Sequence, residues 1–351
     1  MSTTTRPDSL NLDQALAQLE PCAPRIDVEI VRLPLAEPFR IADHVFADVE
    51  TVILRLEADG CMGQAEAAGV FYLGDRPSGI AATLADAAST VAEGVDHDRL
   101  PSLFPPGGAR NAFDCALWDL QARRLGTPVW QLLGMAPPEP LLTTYTIGNA
   151  APDIMAAAAV RHAYARAIKV KLSGDADDGE RIAAIRAARP DVWLGVDANR
   201  SLTPTTLAEL MPALEAAGVK LLEQPFAVGA DAALADLASP VPVAADESIQ
   251  TGDDLDRLAH LNQAVNIKLD KCGGLTAGLR LAQRAQRRGL DVMVGNMLGS
   301  SLAMAPAFLL GQYCAIVDLD GPIFLASDCH PAATYRAGQV DCTPHPWGNG
   351  Q

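Results

Sequence analysis

Ala167-Ile168-Lys169-Val170-Lys171-Leu172 alternates apolar with cationic side chains. Read as a strand, it puts Lys169 and Lys171 on one face, about 6.5 Å apart, and Ile168, Val170 and Leu172 on the other. On a surface strand such lysines are a solvated face. In the wall of a closed barrel they are two ammonium groups aimed at the interior. The flanking sequence decides between these readings. From residue 141 onward, short apolar strands recur every 20–30 residues or so, at 141–148, 167–172, 192–198, 219–224, 241–246, 264–270, 291–296 and 314–320. Ala-rich helical stretches such as IMAAAAVRHAYARA and AGLRLAQRAQRRG lie between them. Strand–helix alternation specifies a parallel sheet, and eight units in about 180 residues fit a (β/α)8-type barrel. The competing doubly wound sheet lacks its glycine-rich fingerprint after a first strand.

The segment before the barrel reads as α+β. Residues 26–36 and 47–58 are strand-like, with Gly60 and Gly63 closing the second, and NAFDCALWDLQARRLG (111–126) is a helix stopped by Gly126. The expected organisation is an N-terminal extension (1–25), an α+β capping domain (26–140), the barrel (141–325) and a C-terminal segment (326–351) returning to the cap.

In such barrels chemistry sits at the C-terminal ends of the strands. Asp197, Glu223 and Asp246 end strands 3, 4 and 5. Lys169 and Lys171 lie on strand 2 and Lys268 on strand 6. Parity turns Lys268 inward, opposite Val265 and Ile267, and turns Asp318 and Asp320 inward together on strand 8. Clustered buried carboxylates need compensation. An all-oxygen set without His or Cys points to one Mg²⁺ rather than zinc. Taken singly, an Asp at a strand end is usually a helix cap; three on adjacent strands with lysines on both flanks form a pattern.

Charge and composition narrow the partners. The 351 residues carry a net charge of −16, which argues against nucleic acid and anionic membranes. Seven cysteines without a C-x-x-C pair fit a reducing cytoplasm. No apolar run suits a signal peptide or a membrane span.

K-V-K (169–171), V-D-A-N (196–199), E-Q-P (223–225), D-E-S (246–248) and I-K-L-D-K (267–271), in this order on strands 2 to 6, resemble the enolase superfamily in its muconate-lactonizing-enzyme subgroup. The helix N-A-F-D-C-A-L-W-D-L before the barrel is similar too, and D-L-D-G (318–321) resembles the dipeptide epimerases. The resemblance covers nearly the whole chain after the first 25 or so residues. It implies a modified (β/α)7β barrel with a cap, and Mg²⁺ on Asp197, Glu223 and Asp246. It makes Lys171 and Lys268 acid/base catalysts on opposite faces of the substrate. Lys169 would support the metal-bound carboxylate and depress the pKa of Lys171, Asp318 and Asp320 would hold a dipeptide α-ammonium, and Thr146 would touch substrate. The reaction implied is 1,1-proton transfer at the C-terminal residue of a dipeptide through an enediolate, in a cytoplasmic homo-oligomer.

Several points stay open in the residues alone. Asp318 and Asp320 form either a cation receptor or a salt bridge to a neighbouring lysine. Arg40 is either a partner for an acidic substrate side chain, as in L-Ala-Glu, or a surface arginine. Gly299 stands where the subgroup often has the Glu of C-M-x-E-S, near the substrate side chain. Competing activities are N-acylamino-acid racemase, o-succinylbenzoate synthase, cycloisomerase and a non-catalytic binding barrel. A sugar-acid dehydratase is disfavoured because strand 7 has no His.

Overall fold

A computed structural model describes residues 11–41, 44–237 and 239–351, and only the backbone at 39–41, 44 and 45. Residues 1–10 of the N-terminal extension and the Arg40 side chain lie outside the described residues.

The cap is an antiparallel sheet of Arg25–Ile41, His44–Ala58 and Cys61–Ala67 in sequential order. The sequence reading closes the second strand with Gly60 and Gly63, whereas Gly63 lies inside the third strand. Asp59 and Gly60 both have positive φ, 52° and 74°, the conformation of a two-residue hairpin turn whose Asp-Gly signal starts a new strand. Val52, Leu54 and Leu56 are fully buried against the helix Gly108–Leu125. That helix lies so close that a Cβ on Gly63 would stand 2.3 Å from the Ala116 carbonyl oxygen. Gly126 ends the helix in the left-handed conformation, as its position predicts. The opposite face meets the barrel: Trp118 Nε1 donates to Thr276 Oγ1 (2.9 Å), and Asp114 accepts the Thr276 N–H (2.9 Å).

Eight parallel strands form the barrel: Thr144–Ile147, Ala167–Lys171, Trp193–Asp197, Leu221–Glu223, Val243–Ala245, Ala264–Lys268, Asp291–Gly295 and Ile316–Asp318. They are called barrel strands 1 to 8 below. The alternation reads as expected. Ile168, Val170, Leu194, Val196, Val265 and Ile267 pack outward beneath the helices. Leu221, Ala244, Ala264, Met293 and Ile316 fill the barrel floor with Trp193. Above that apolar plug the inward positions turn polar.

Two elements depart from the eightfold pattern. Only a short 3-10 turn, Asp231–Asp236, connects barrel strands 4 and 5, and another, Gly321–Phe324, follows strand 8. The expected first strand, 141–148, also splits. Leu141–Leu142 pairs with the C-terminal hairpin Thr334–Arg336/Gln339–Asp341, and only Thr144–Ile147 joins the barrel.

Among the described residues no backbone ladder joins strand 8 to strand 1. Side chains close this seam. Leu319 N–H donates to Thr143 Oγ1 (2.9 Å), Thr146 N–H donates to Asp320 Oδ2 (2.7 Å), and the Thr144 hydroxyl donates to Asp318. Beyond the hairpin, Trp347 Nε1 donates to the Cys115 carbonyl (3.1 Å) and Gly348 N–H to Asp119 (2.7 Å), which ties the C-terminus to the cap helix.

Candidate active site

The C-terminal mouth of the barrel opens into a cavity of about 710 Å³ roofed by the cap. Parity and register build its floor. Lys171 is in register with Asp197, and Asp197 with Glu223, so these three side chains stand abreast on strands 2, 3 and 4. Lys268, Gly295 and Asp318 are likewise abreast on strands 6, 7 and 8. Gly295 gives its neighbours room, since a Cβ there would meet the Asn266 amide oxygen at 2.7 Å and Lys268 Cε at 3.1 Å.

Four carboxylates at the mouth, Asp197, Glu223, Asp246 and Asp318, are engaged by lysines. Lys171 Nζ lies 2.6 Å from Asp197 Oδ2 and Lys268 Nζ lies 2.7 Å from Asp246 Oδ2, with Lys271 also on Asp246. Lys169 spans the barrel to Glu223 (3.2 Å) and Asp318. All are buried. Burial works against the charges on Lys169 and Lys268. Asp318 and Glu223 beside the first, and Asp246 beside the second, outweigh it and hold both ammonium groups above the ordinary lysine range. Burial likewise resists ionisation of Asp246, and Lys268 and Lys271 overcome it, keeping that carboxyl well below the usual range. Glu223 goes the other way: burial and neighbouring Asp197 push it up to about 8.

That imbalance is what an added cation would relieve. Glu247 Oε2 and Asn199 Oδ1 are buried acceptors without a hydrogen-bond partner. Glu247 is pushed up to about 7 by burial and by Asp246 and Asp197. Among the described residues no three His, Cys, Asp or Glu side chains converge as a ready ligand set, because the carboxylates are turned toward lysines. The donor set itself, oxygen only and rich in unmatched carboxylate, fits a hard divalent cation.

The structure gathers the sequence candidates as follows. Lys169, Lys171, Lys268, Asp246, Asp318, Asp320 and Thr146 line the cavity, while Asp197 and Glu223 are fully buried. Lys169 turns to Glu223 and Asp318. Asp318 carries the salt bridge left open by the sequence. Among the described residues Asp320 meets no ammonium group at hydrogen-bond distance; it accepts the Thr146 N–H, and burial together with Asp318 pushes it up to about 6. Gly299 does not line the cavity. A Cβ there would point at Glu66 Oε1 (2.9 Å), which accepts the Ser300 N–H at 3.0 Å. This position therefore faces the cap rather than the substrate space.

Other residues escape the sequence reading. Gln224 links two motifs: its Oε1 accepts the N–H groups of Asp246 (2.9 Å) and Ser248 (3.1 Å), and its Nε2 donates to Ser248 Oγ (2.9 Å). It does so from a left-handed backbone, φ 35°, a strain typical of functional sites. Asn266 Nδ2 donates to Glu223 Oε1 (2.6 Å); its inward parity with Lys268 is the available signal. Tyr72, on the cap loop, has a buried hydroxyl without a partner among the described residues, and the Arg200 guanidinium lies 5.2 Å from its ring centre.

Comparison with known proteins places this geometry. Residues 25–134 match the mandelate racemase / muconate lactonizing enzyme N-terminal domain, and residues 153–340 the enolase C-terminal domain-like family. The chain belongs to the enolase superfamily. It groups there with the dipeptide epimerases. An L-Ala-D/L-Glu epimerase of Escherichia coli (strain K12) is 39% identical over 309 residues, 88% of this chain and 96% of that protein. An N-acetyl-D-glutamate racemase of a Pseudoalteromonas species is 43% identical over 246 residues, 70% of this chain and 78% of that protein. A solved enolase-family structure from Agrobacterium tumefaciens, described as homologous to dipeptide epimerases with bound sodium and L-Ala-L-Glu, superposes with a TM-score of 0.89 at 38% identity, covering 93% of this chain and 100% of that one. A Methylococcus capsulatus dipeptide epimerase complexed with Mg and L-Arg-D-Lys gives 0.86 at 30% identity, with 95% and 99% coverage.

Proposed function

We propose that this enolase-superfamily member is a Mg²⁺-dependent isomerase that epimerises the C-terminal residue of a dipeptide, with L-Ala-D/L-Glu as the first candidate. The observation that carries the reading is the pair Lys171 and Lys268, on strands 2 and 6 of an eight-stranded barrel and thus on opposite sides of one cavity. A substrate α-carbon between them meets an amine on each face. One lysine takes the α-proton, and the other returns a proton to the opposite face, inverting the centre. Asp197, Glu223 and Asp246 would hold Mg²⁺, which when bound supplies positive charge where negative charge grows on the substrate carboxylate. A lysine base working beside Mg²⁺ is the general pattern of this superfamily. Lys171 and Lys268 would then exchange their present carboxylate partners for the substrate. Asp320, without an ammonium partner, is the receptor for the dipeptide α-ammonium.

Glutamate as the reacting residue is supported by two relatives with different nitrogen substituents, both named for it. A second reading, N-acetylglutamate racemase, draws support from Asp318. Lys169 already neutralises this carboxylate, so one of the two aspartates is not free for an ammonium group. The test is α-proton exchange in D₂O with Mg²⁺, comparing L-Ala-L-Glu with N-acetyl-L-glutamate. Faster gain of one mass unit on the dipeptide supports epimerase, and faster gain on the N-acetyl compound supports racemase. Exchange on neither sinks both, and exchange undiminished by EDTA removes the metal.

We also propose that the enzyme works in the cytoplasm as a homo-oligomer. Its seven free cysteines support a reducing compartment, and no helix among the described residues is long and apolar enough to cross a membrane. Light scattering tests the assembly.

A further inference from the structure

Asn296 directly follows barrel strand 7, between Lys268 on strand 6 and Asp318 on strand 8, and lines the cavity. Its Nδ2 donates to the Met297 carbonyl oxygen at 2.9 Å. Gly321 lets that nitrogen sit close, since a Cβ there would meet it at 2.7 Å. A carbonyl oxygen only accepts, so this bond settles which end of the amide is nitrogen. The other end, Oδ1, is then a fixed acceptor. It is screened from solvent and has no donor among the described residues. Buried acceptors are rarely left so. Asn296 stands at the wall of the open cavity, so a ligand seated there can bring the missing donor.

The proposed substrates bring one donor to this place. Their α-carboxylate is drawn to strands 3 to 5, their α-carbon lies between Lys171 and Lys268, and their nitrogen substituent extends toward strand 8. The amide N–H on the α-carbon therefore falls between strands 6 and 8, beside strand 7. We propose that Asn296 Oδ1 accepts this amide N–H and makes the enzyme selective for N-acylated acids over their O-acylated counterparts. The inference rests on the function proposed above and holds for both of its forms, since a dipeptide and an N-acetylamino acid share the N–H.

The experiment compares α-deuterium incorporation into L-Ala-L-Glu and into the depsipeptide in which an ester oxygen replaces the amide N–H. It is run on the wild-type enzyme and on Asn296→Ala and Asn296→Leu. Comparing the amide/ester ratio between variants cancels the intrinsic acidity of each α-proton. The wild-type ratio should exceed the variant ratio by roughly tenfold, the loss expected for one hydrogen bond, with the fall confined to the amide. Misfolding lowers both rates together and leaves the ratio alone. Should a variant turn over neither compound, the same ratio is read from their dissociation constants. An equal ratio in wild type and both variants overturns the assignment. Absence of exchange on the amide in the wild type would remove the reaction itself, and the proposal with it.

Discussion

The two walls of the cavity are built on opposite plans. The barrel wall is dense with buried charge, and its lysines are matched: Lys171 with Asp197, Lys268 with Asp246, Lys169 with Glu223 and Asp318. The cap wall carries exposed charge, Arg32 beside Asp48 (3.6 Å) and Glu50 (3.5 Å), next to the Tyr72 hydroxyl, which has no hydrogen-bond partner among the described residues. Rigid strands hold groups whose position sets the chemistry. A loop between cap strand and helix holds groups whose identity can change without disturbing the fold. The lesson is a division of labour, with buried, lysine-matched charge on the barrel strands and more exposed, replaceable groups in the cap.

The largest expected effect lies on the barrel wall. Lys268→Ala should abolish epimerisation, about 10³-fold or more given the usual worth of a general acid or base, yet preserve α-deuterium exchange on the isomer whose proton Lys171 abstracts. Equal loss of exchange from both isomers would break the assignment of one lysine to each face. Next comes Asp320→Asn, which keeps an oxygen for the Thr146 N–H but removes the charge. It should lower kcat/KM on the dipeptide by roughly 10–100-fold, the worth of a charged hydrogen bond, and leave N-acetyl-L-glutamate unchanged. Equal loss on both would assign Asp320 to the seam alone. On the cap wall, Tyr72→Phe should cost about tenfold or less in kcat/KM with no loss of thermal stability, because the hydroxyl bonds to nothing among the described residues. A drop in Tm would instead make Tyr72 part of the scaffold.

The smallest effect concerns the join between the walls. Asp270, near Lys268, accepts the Gly69 N–H of the cap loop (2.9 Å), and burial pushes its carboxyl up to about 7. The unfolded chain ionises it near 4, so the folded state binds more protons between these values. Its contribution is complete at pH 4 and is lost as pH rises through about 7. Asp270→Asn should flatten the decline in thermal stability across that window. An unchanged slope would assign the decline to other carboxyls.

Legibility in the sequence follows the same division. Strand parity has period two, so one apolar face fixes the other. That is why Lys169, Lys171, Lys268, Asp318 and Asp320 can be turned inward from spacing alone. Parity also holds the signal for Asn266, but an uncharged amide among lysines and carboxylates does not stand out. Bonds between distant segments leave no such trace. Gln224 reaching the Asp246 and Ser248 N–H groups and Glu66 meeting Ser300 follow from tertiary placement. The split of 141–148 is equally hidden, because a single apolar run does not say which residues will pair with which sheet. The Asp59-Gly60 turn is visible, yet by itself it reads as readily as the end of a strand as the middle of a hairpin. The cap loop Ala68–Pro77 has no period, so Tyr72 offers no pattern to read.

The seam between strands 8 and 1 has a consequence for how this enzyme can change. Its fasteners are Thr143, Thr144, Asp318 and Asp320, and the two aspartates also line the cavity. A lineage that drifts toward a new nitrogen substituent cannot freely trade away these aspartates, because a variant that loses them also loosens the barrel where no ladder backs it up. Asn296 and Tyr72 carry no such double duty. New specificity should therefore arise first on strand 7 and in the cap, with Asp318 and Asp320 persisting as inherited hardware even in descendants that no longer meet an ammonium group.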